Sequence, residues 1–152
     1  MKFIKLEKRE IRDALSLVWN VFLEFQGSEY SKQGIQEFKK FISYDSIIEG
    51  INNKKFSFWG CKVGEDLVGV ISTRGVNHIA MLFVKKEYHR KGISKKLFEK
   101  VKEECKDNHM NEITVNSSPF AIEVYHRLGF KDKDKEQTVN GLRFTPMFYS
   151  IN

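Results

Sequence analysis

The chain has 152 residues, 26 Lys plus Arg against 20 Asp plus Glu, 41% hydrophobic residues and 2 prolines. Such a length and balance suit one globular domain spanning 1–152, and they exclude a fibrous repeat or a disordered tail. No stretch approaches the roughly 18 consecutive apolar residues of a membrane span. The start, Met1-Lys2-Phe3-Ile4-Lys5, is charged at once and has no apolar signal core, so a cytoplasmic protein without a membrane partner is expected. Cys61 and Cys105 lie far apart and outside C-x-x-C spacing, which reads as buried or incidental thiols in a reducing cytosol. With no H-E-x-x-H and no Cys/His cluster, no metal is expected.

Leu15, Val18, Trp19, Phe22 and Leu23 recur at helical spacing and predict a first helix over about residues 10 to 26, broken at Gly27-Ser28. A second helical stretch carries Ile35, Phe38, Phe41 and Ile42 on one face and ends at the turn cluster Asn52-Asn53-Lys54-Lys55. Aromatic-rich Phe56–Val63 predicts a strand. The turn Gly64-Glu65-Asp66 leads into a second strand, Leu67–Thr73. His78–Val84 is nearly all apolar, as a central strand covered on both faces requires. Ile93, Leu97, Val101 and Cys105 repeat every four residues and predict a helix with one buried stripe. Glu112–Asn116 alternates as a strand. Ser118-Pro119 opens another helix that Gly129 closes, and Phe144–Ile151 reads as a last strand. The order predicts a mixed α/β (α+β) domain.

Charge is concentrated in one place. Lys85–Glu103 holds eight basic residues against three acidic ones, most of the net +6 of the chain. A solvated Lys-rich helix face and a seat for a compact polyanion both account for that patch. The second reading gains from what surrounds it: a strand (Met81–Val84), a short basic turn, and a helix starting near Gly92. A helix start presents unpaired N–H groups and the positive end of its dipole, which favour an anion. Gly92 and the small Ser94 let the backbone approach a phosphate, and Arg90, Lys91 and Lys95 surround it with positive charge. Neither G-x-G-x-x-G nor G-x-x-x-x-G-K-[ST] occurs.

Tyr88-His89-Arg90-Lys91-Gly92-Ile93-Ser94, after the Leu82-Phe83-Val84 strand, resembles the acetyl-CoA motif of the GNAT superfamily of N-acetyltransferases. His89 stands where Gln or Arg is usual, and Ser94 replaces the second small residue. A second block, Asn116–Phe130, resembles the family's strand–helix segment ending in Tyr-x-x-Leu-Gly-Phe, here Tyr125-His126-Arg127-Leu128-Gly129-Phe130. The resemblance extends over the whole chain. It implies a GNAT-like fold, a mixed sheet that splays beside the central strand and is flanked by helices. It also implies direct transfer of an acetyl group from acetyl-CoA, as cosubstrate, to a primary amine. Backbone groups of Leu82, Phe83 and Val84 would hold the pantetheine arm and offer an N–H to the oxyanion. His89, Arg90, Lys91, Gly92, Ile93, Ser94 and Lys95 would surround the pyrophosphate.

Single residues then acquire candidate roles. Tyr125 is the expected general acid toward the departing thiolate, and it touches the cofactor site; a packed core ring is the alternative. Asn116 is read as a pantetheine or water ligand, or as a strand-end residue. His78 has the intrinsic pKa of a base for the ammonium, with Glu24 and Glu29 as rival bases. Arg74 binds an acidic acceptor group or decorates a strand end. Phe22, Phe25, Phe38 and Trp19 are read as mostly core, with some of them lining the acceptor pocket. A noncatalytic acyl-CoA-binding or regulatory module on the same fold is the alternative function. A nucleic-acid partner is not expected, since no helix-turn-helix or ribonucleoprotein signature occurs. A homodimer stays open, and so does the identity of the amine.

Overall fold

The computed structural model of the chain describes residues 1–151, the side chain of Glu29 excepted. Among these residues the elements run β1 (Lys2–Lys5), α1 (Ile11–Phe25), α2 (Lys32–Phe41), α3 (Tyr44–Asn52), β2 (Phe56–Val63), β3 (Asp66–Arg74) and β4 (His78–Val84). Then follow α4 (Ile93–Asp107), β5 (Glu112–Ser117), α5 (Ile122–Leu128), β6 (Lys131–Asp132), β7 (Gln137–Val139) and β8 (Leu142–Ser150). The strands form a mixed sheet in the order β1-β2-β3-β4-β5-β8-β6, with β7 paired to β8. No described helix is long and apolar enough to cross a membrane.

The expected mixed α/β architecture is present, with four local corrections. The stretch between Gly27 and Asn52 is two helices, because Ser43 adopts an extended conformation (ψ 140°) and starts α3 anew. Ile42 is buried just past the end of α2, so one apolar stripe is divided between two helix axes. Strand β1 was not predicted: only Phe3 and Ile4 of Lys2–Lys5 are half-buried, and its form follows from backbone pairing with β2. The short β6 and β7 likewise lack an apolar pattern and are held by the backbone of β8. That strand begins at Leu142, two residues before the predicted start.

Two apolar layers cover the sheet. Helix α1 packs Ile11, Leu15, Val18 and Phe22 on the face carrying Phe58, Val70, Met81 and Phe83. Helix α4 packs Ile93, Leu97, Val101 and Cys105 on the other face, against Trp59, Ile71, Ile79 and Val84. Strict alternation would put Ile79 and Met81 on the same face. They lie on opposite faces because Thr73 pairs with Ile79 while Ser72 pairs with Met81, which leaves Ala80 as the extra residue of a bulge.

The decisive irregularity lies on the other edge of β4. Its parallel pairing with β5 consists of His78 with Thr114 and Ile79 with Val115. Beyond these two pairs the strands part, and the β4 backbone from the bulge to Val84 has no neighbour on that side. Strand β5 follows β8 instead, through six antiparallel pairs from Glu112–Ser150 to Ser117–Thr145.

Candidate active site

A cavity of about 430 Å³ occupies the opening between β4 and β5. Met81, Leu82 and Phe83 of β4 form one wall, and Val115 and Asn116 of β5 form another. Ser118, Ala121 and Tyr125 close it after β5. Phe22 of α1, Gln26 just past its end, and Glu37, Phe38 and Phe41 of α2 line it from the helical side.

Of the candidate residues, the fold brings His78, Leu82, Phe83, Asn116 and Tyr125 to this one cavity. Ser118 positions the last of them: it caps the turn after β5 by accepting from the Ala121 N–H at 3.3 Å. Gly129, with φ 107°, then ends α5 four residues after Tyr125. The Tyr125 ring is 4% exposed and meets Phe130 edge-on at 5.3 Å. Burial raises the pKa of its phenol above the usual tyrosine value, so the hydroxyl stays protonated and a donor at neutral pH.

His78 shares a hydrogen bond of 2.8 Å between Nδ1 and Thr114 Oγ1, across the last paired rung of β4 and β5. Its Nε2 has no partner among the described residues. Burial, and then the nearby Arg74 charge, lower its pKa. The imidazole is therefore neutral at pH 7 and able to accept a proton.

The basic turn stands apart from the cavity lining, at the C-terminal end of β4. Arg90 and Gly92 both have positive φ, 63° and 76°, which turns the chain sharply into α4. Gly92 is the residue before the first helical position, no side chain caps the helix start, and a Cβ built on Gly92 would meet nothing within 4 Å. The N–H groups of Ile93, Ser94 and Lys95 are thus the unpaired donors of the first turn. Arg90, Lys91 and Lys95 are exposed around them, Ser94 is half-buried and Ile93 is anchored in the core. His89 is committed to the loop: its Nε2 donates to the Val84 carbonyl at 2.7 Å, and its ring packs 5.2 Å from Phe25. These features fit a pyrophosphate, since the donors, the positive charge and the open space coincide.

Glu24 is exposed on α1 and does not line the cavity. The Glu29 side chain lies outside the described residues. The sequence reading missed Glu37 and Gln26, which both line the cavity. Glu37 had a readable signal, because it shares a helix face with Phe41 four residues on. Gln26, 8% exposed just past the end of α1, offered none.

Residues 26–151 match the acetyltransferase (GNAT) domain family. The chain belongs to the GNAT acetyltransferase family. Solved structures of similar fold include the PaiA N-acetyltransferase from Thermoplasma acidophilum in complex with coenzyme A, at 18% identity, TM-score 0.81 and 98% coverage of both chains. A GCN5-related N-acetyltransferase from Rhodopseudomonas palustris aligns at 17% identity and TM-score 0.84, over 98% of this chain and 94% of that one. An aminoglycoside 6′-N-acetyltransferase complexed with coenzyme A aligns at 13% identity and TM-score 0.70, over 100% and 98%. At such identities the likeness speaks for the fold. No curated protein sequence matches the chain significantly. In this GNAT domain the parting of β4 and β5 opens the cavity between the two strands.

Proposed function

We propose that this chain, as one domain over 1–152, transfers the acetyl group of acetyl-CoA to the nitrogen of a primary amine. The observation that carries the reading is the meeting, in one cavity, of the unpaired β4 edge, a neutral His78 and a protonated Tyr125. Coenzyme A bound in two of the structural relatives supports the choice of donor.

Acetyl-CoA supplies an activated acetyl group as a thioester. The free edge of Leu82, Phe83 and Val84 offers strand-like hydrogen bonds to an amide-bearing arm, and the first turn of α4 with Arg90, Lys91 and Lys95 receives the pyrophosphate. Asn116 lies across the gap as a further polar ligand. His78 takes the proton that the attacking amine must lose, at Nε2, while Thr114 holds the ring through Nδ1. One N–H of the Leu82–Val84 edge steadies the charge that builds on the carbonyl oxygen. As the carbon–sulfur bond breaks, Tyr125 donates its hydroxyl proton toward the sulfur and recovers one from water. Positioning accounts for much of the remaining acceleration.

Thiol release measured over a panel of amines tests the reading, with Tyr125→Phe as the informative variant. That variant keeps the ring packed on Phe130, so acetyl-CoA affinity should hold while single-turnover rates fall roughly 10²-fold. A wild-type rate in the variant would return Tyr125 to a packing role. Tight acetyl-CoA binding without turnover of any amine would favour a binding or regulatory module.

A further inference from the structure

The cavity lining carries two charges that have no ion-pair partner among the described residues, and the inference drawn from them rests on the transfer reading above. Glu37 of α2 and Arg74 at the end of β3 both line the cavity. Neither has an ion-pair partner among the described residues. Arg74 is the cross-strand partner of His78, and its charge reaches that imidazole. Arg143, also on the lining, is by contrast already engaged with Glu136 at 3.3 Å.

A ligand that fills such a site strips water from both charged groups, which costs free energy unless the ligand brings the opposite charges. A simple monoamine would also meet Arg74 as a like charge close to the point of attack. The same cavity has an aromatic wall: the Phe22 and Phe38 rings stack at 4.1 Å, and Phe38 lies 6.0 Å from Phe83. We infer that the acceptor is a small amphoteric amine. Its anionic group pairs with Arg74 a few bonds from the reacting nitrogen, its ammonium is drawn in by Glu37, and its apolar body lies on the phenylalanine wall.

The roof argues for a small acceptor. The first turn of α2 meets the β7–β8 turn backbone to backbone: a Cβ built on Gly34 would overlap the Gly141 carbonyl oxygen, and one on Gly141 would lie 2.6 Å from the Gly34 nitrogen. Tyr30 adds a hydrogen bond from its hydroxyl to the Arg143 carbonyl at 3.3 Å. This seam bounds the cavity on that side and obstructs an extended polypeptide, whereas about 430 Å³ accommodates a small molecule.

The test uses the full chain, saturating acetyl-CoA and matched acceptors that differ in one anionic group: phenylalanine against phenethylamine, leucine against 3-methylbutylamine. A lysine peptide blocked at its N-terminus serves as the extended acceptor. The amino acids should exceed their decarboxylated partners by about ten-fold or more in kcat/KM, with the peptide poorest. Arg74→Gln should bring that ratio close to one, chiefly through KM, and Arg74→Lys should retain part of it. Arg74 is exposed, and matching circular dichroism will show that both variants fold. Equal use of the decarboxylated amines, preference for the peptide, or an unchanged ratio in Arg74→Gln would overturn this inference while leaving acetyl transfer standing. No thiol release with any amine, in a protein that binds acetyl-CoA, would overturn the transfer reading and this inference with it.

Discussion

Single side chains at the cleft acquire their chemistry from burial more than from identity. His78 would be ordinary at a strand start, but the cavity wall and Arg74 favour its neutral form. The folded state therefore binds a proton less readily than the unfolded chain, whose histidines titrate near about pH 6.5. The difference in bound protons makes stability rise with pH through that region and fall as the pH drops below it. Urea denaturation of wild type and His78→Gln between about pH 7.5 and 5 should show a shallower loss in the variant; equal slopes would mean that His78 is as solvated as in the unfolded chain. The two cysteines show the same principle without function. Burial raises the Cys105 pKa to about 11 and raises that of Cys61 as well, so both remain inert thiols.

At the scale of elements, close backbone approaches decide where helices can lie. Gly34 sits in the first turn of α2, where alanine would ordinarily stabilise the helix by about 0.5–1 kcal/mol. The opposing effect is larger. Its Cβ would overlap the Gly141 carbonyl, and forced overpacking costs about 1–3 kcal/mol. Gly34→Ala should therefore destabilise the fold in chemical denaturation and raise the KM for the acceptor by moving α2 off the β7–β8 turn. Gly27→Ala is the control: its Cβ would find the nearest atom, of Leu23, at 3.8 Å, so it should leave both quantities nearly unchanged. The β4 bulge belongs to the same scale, since one extra residue at Ala80 sends Ile79 and Met81 to opposite faces.

At the scale of the whole molecule the net charge is concentrated in one segment. Most of the net positive charge lies in Lys85–Glu103, which begins at the end of β4 and runs through the first turns of α4. Exposed charges of this kind steer an anion to the cleft and are screened over a Debye length of about 10 Å at 0.1 M salt. Calorimetry should show acetyl-CoA affinity falling about ten-fold between roughly 0.05 and 0.5 M salt, while the thermal midpoint moves little. A salt-independent affinity would assign the binding to the β4 edge and its apolar surroundings alone.

The elements whose side chains alternate between core and water were legible in order: α1, β2 to β4, α4, β5 and α5 follow from apolar periodicity and from Pro and Gly punctuation. The geometry of the basic turn was legible too, because a helix start, Gly92 and its neighbouring cations are all local in the chain. By contrast β1, β6 and β7 exist only as backbone partners of other strands and leave no apolar trace. The sequence offered His78, Arg74 and Tyr125 singly but not their common cavity. Glu37, the Arg74–His78 hairpin pair and Tyr125 are far apart in sequence and line one cavity because β5 leaves β4 after two rungs to pair with β8. The chain by itself determined its elements and its basic turn, for those depend on neighbours within a few residues. Tertiary structure decided the cleft, the titration of His78 and the uncompensated charge pair, for burial and long-range pairing exist only once the sheet has assembled.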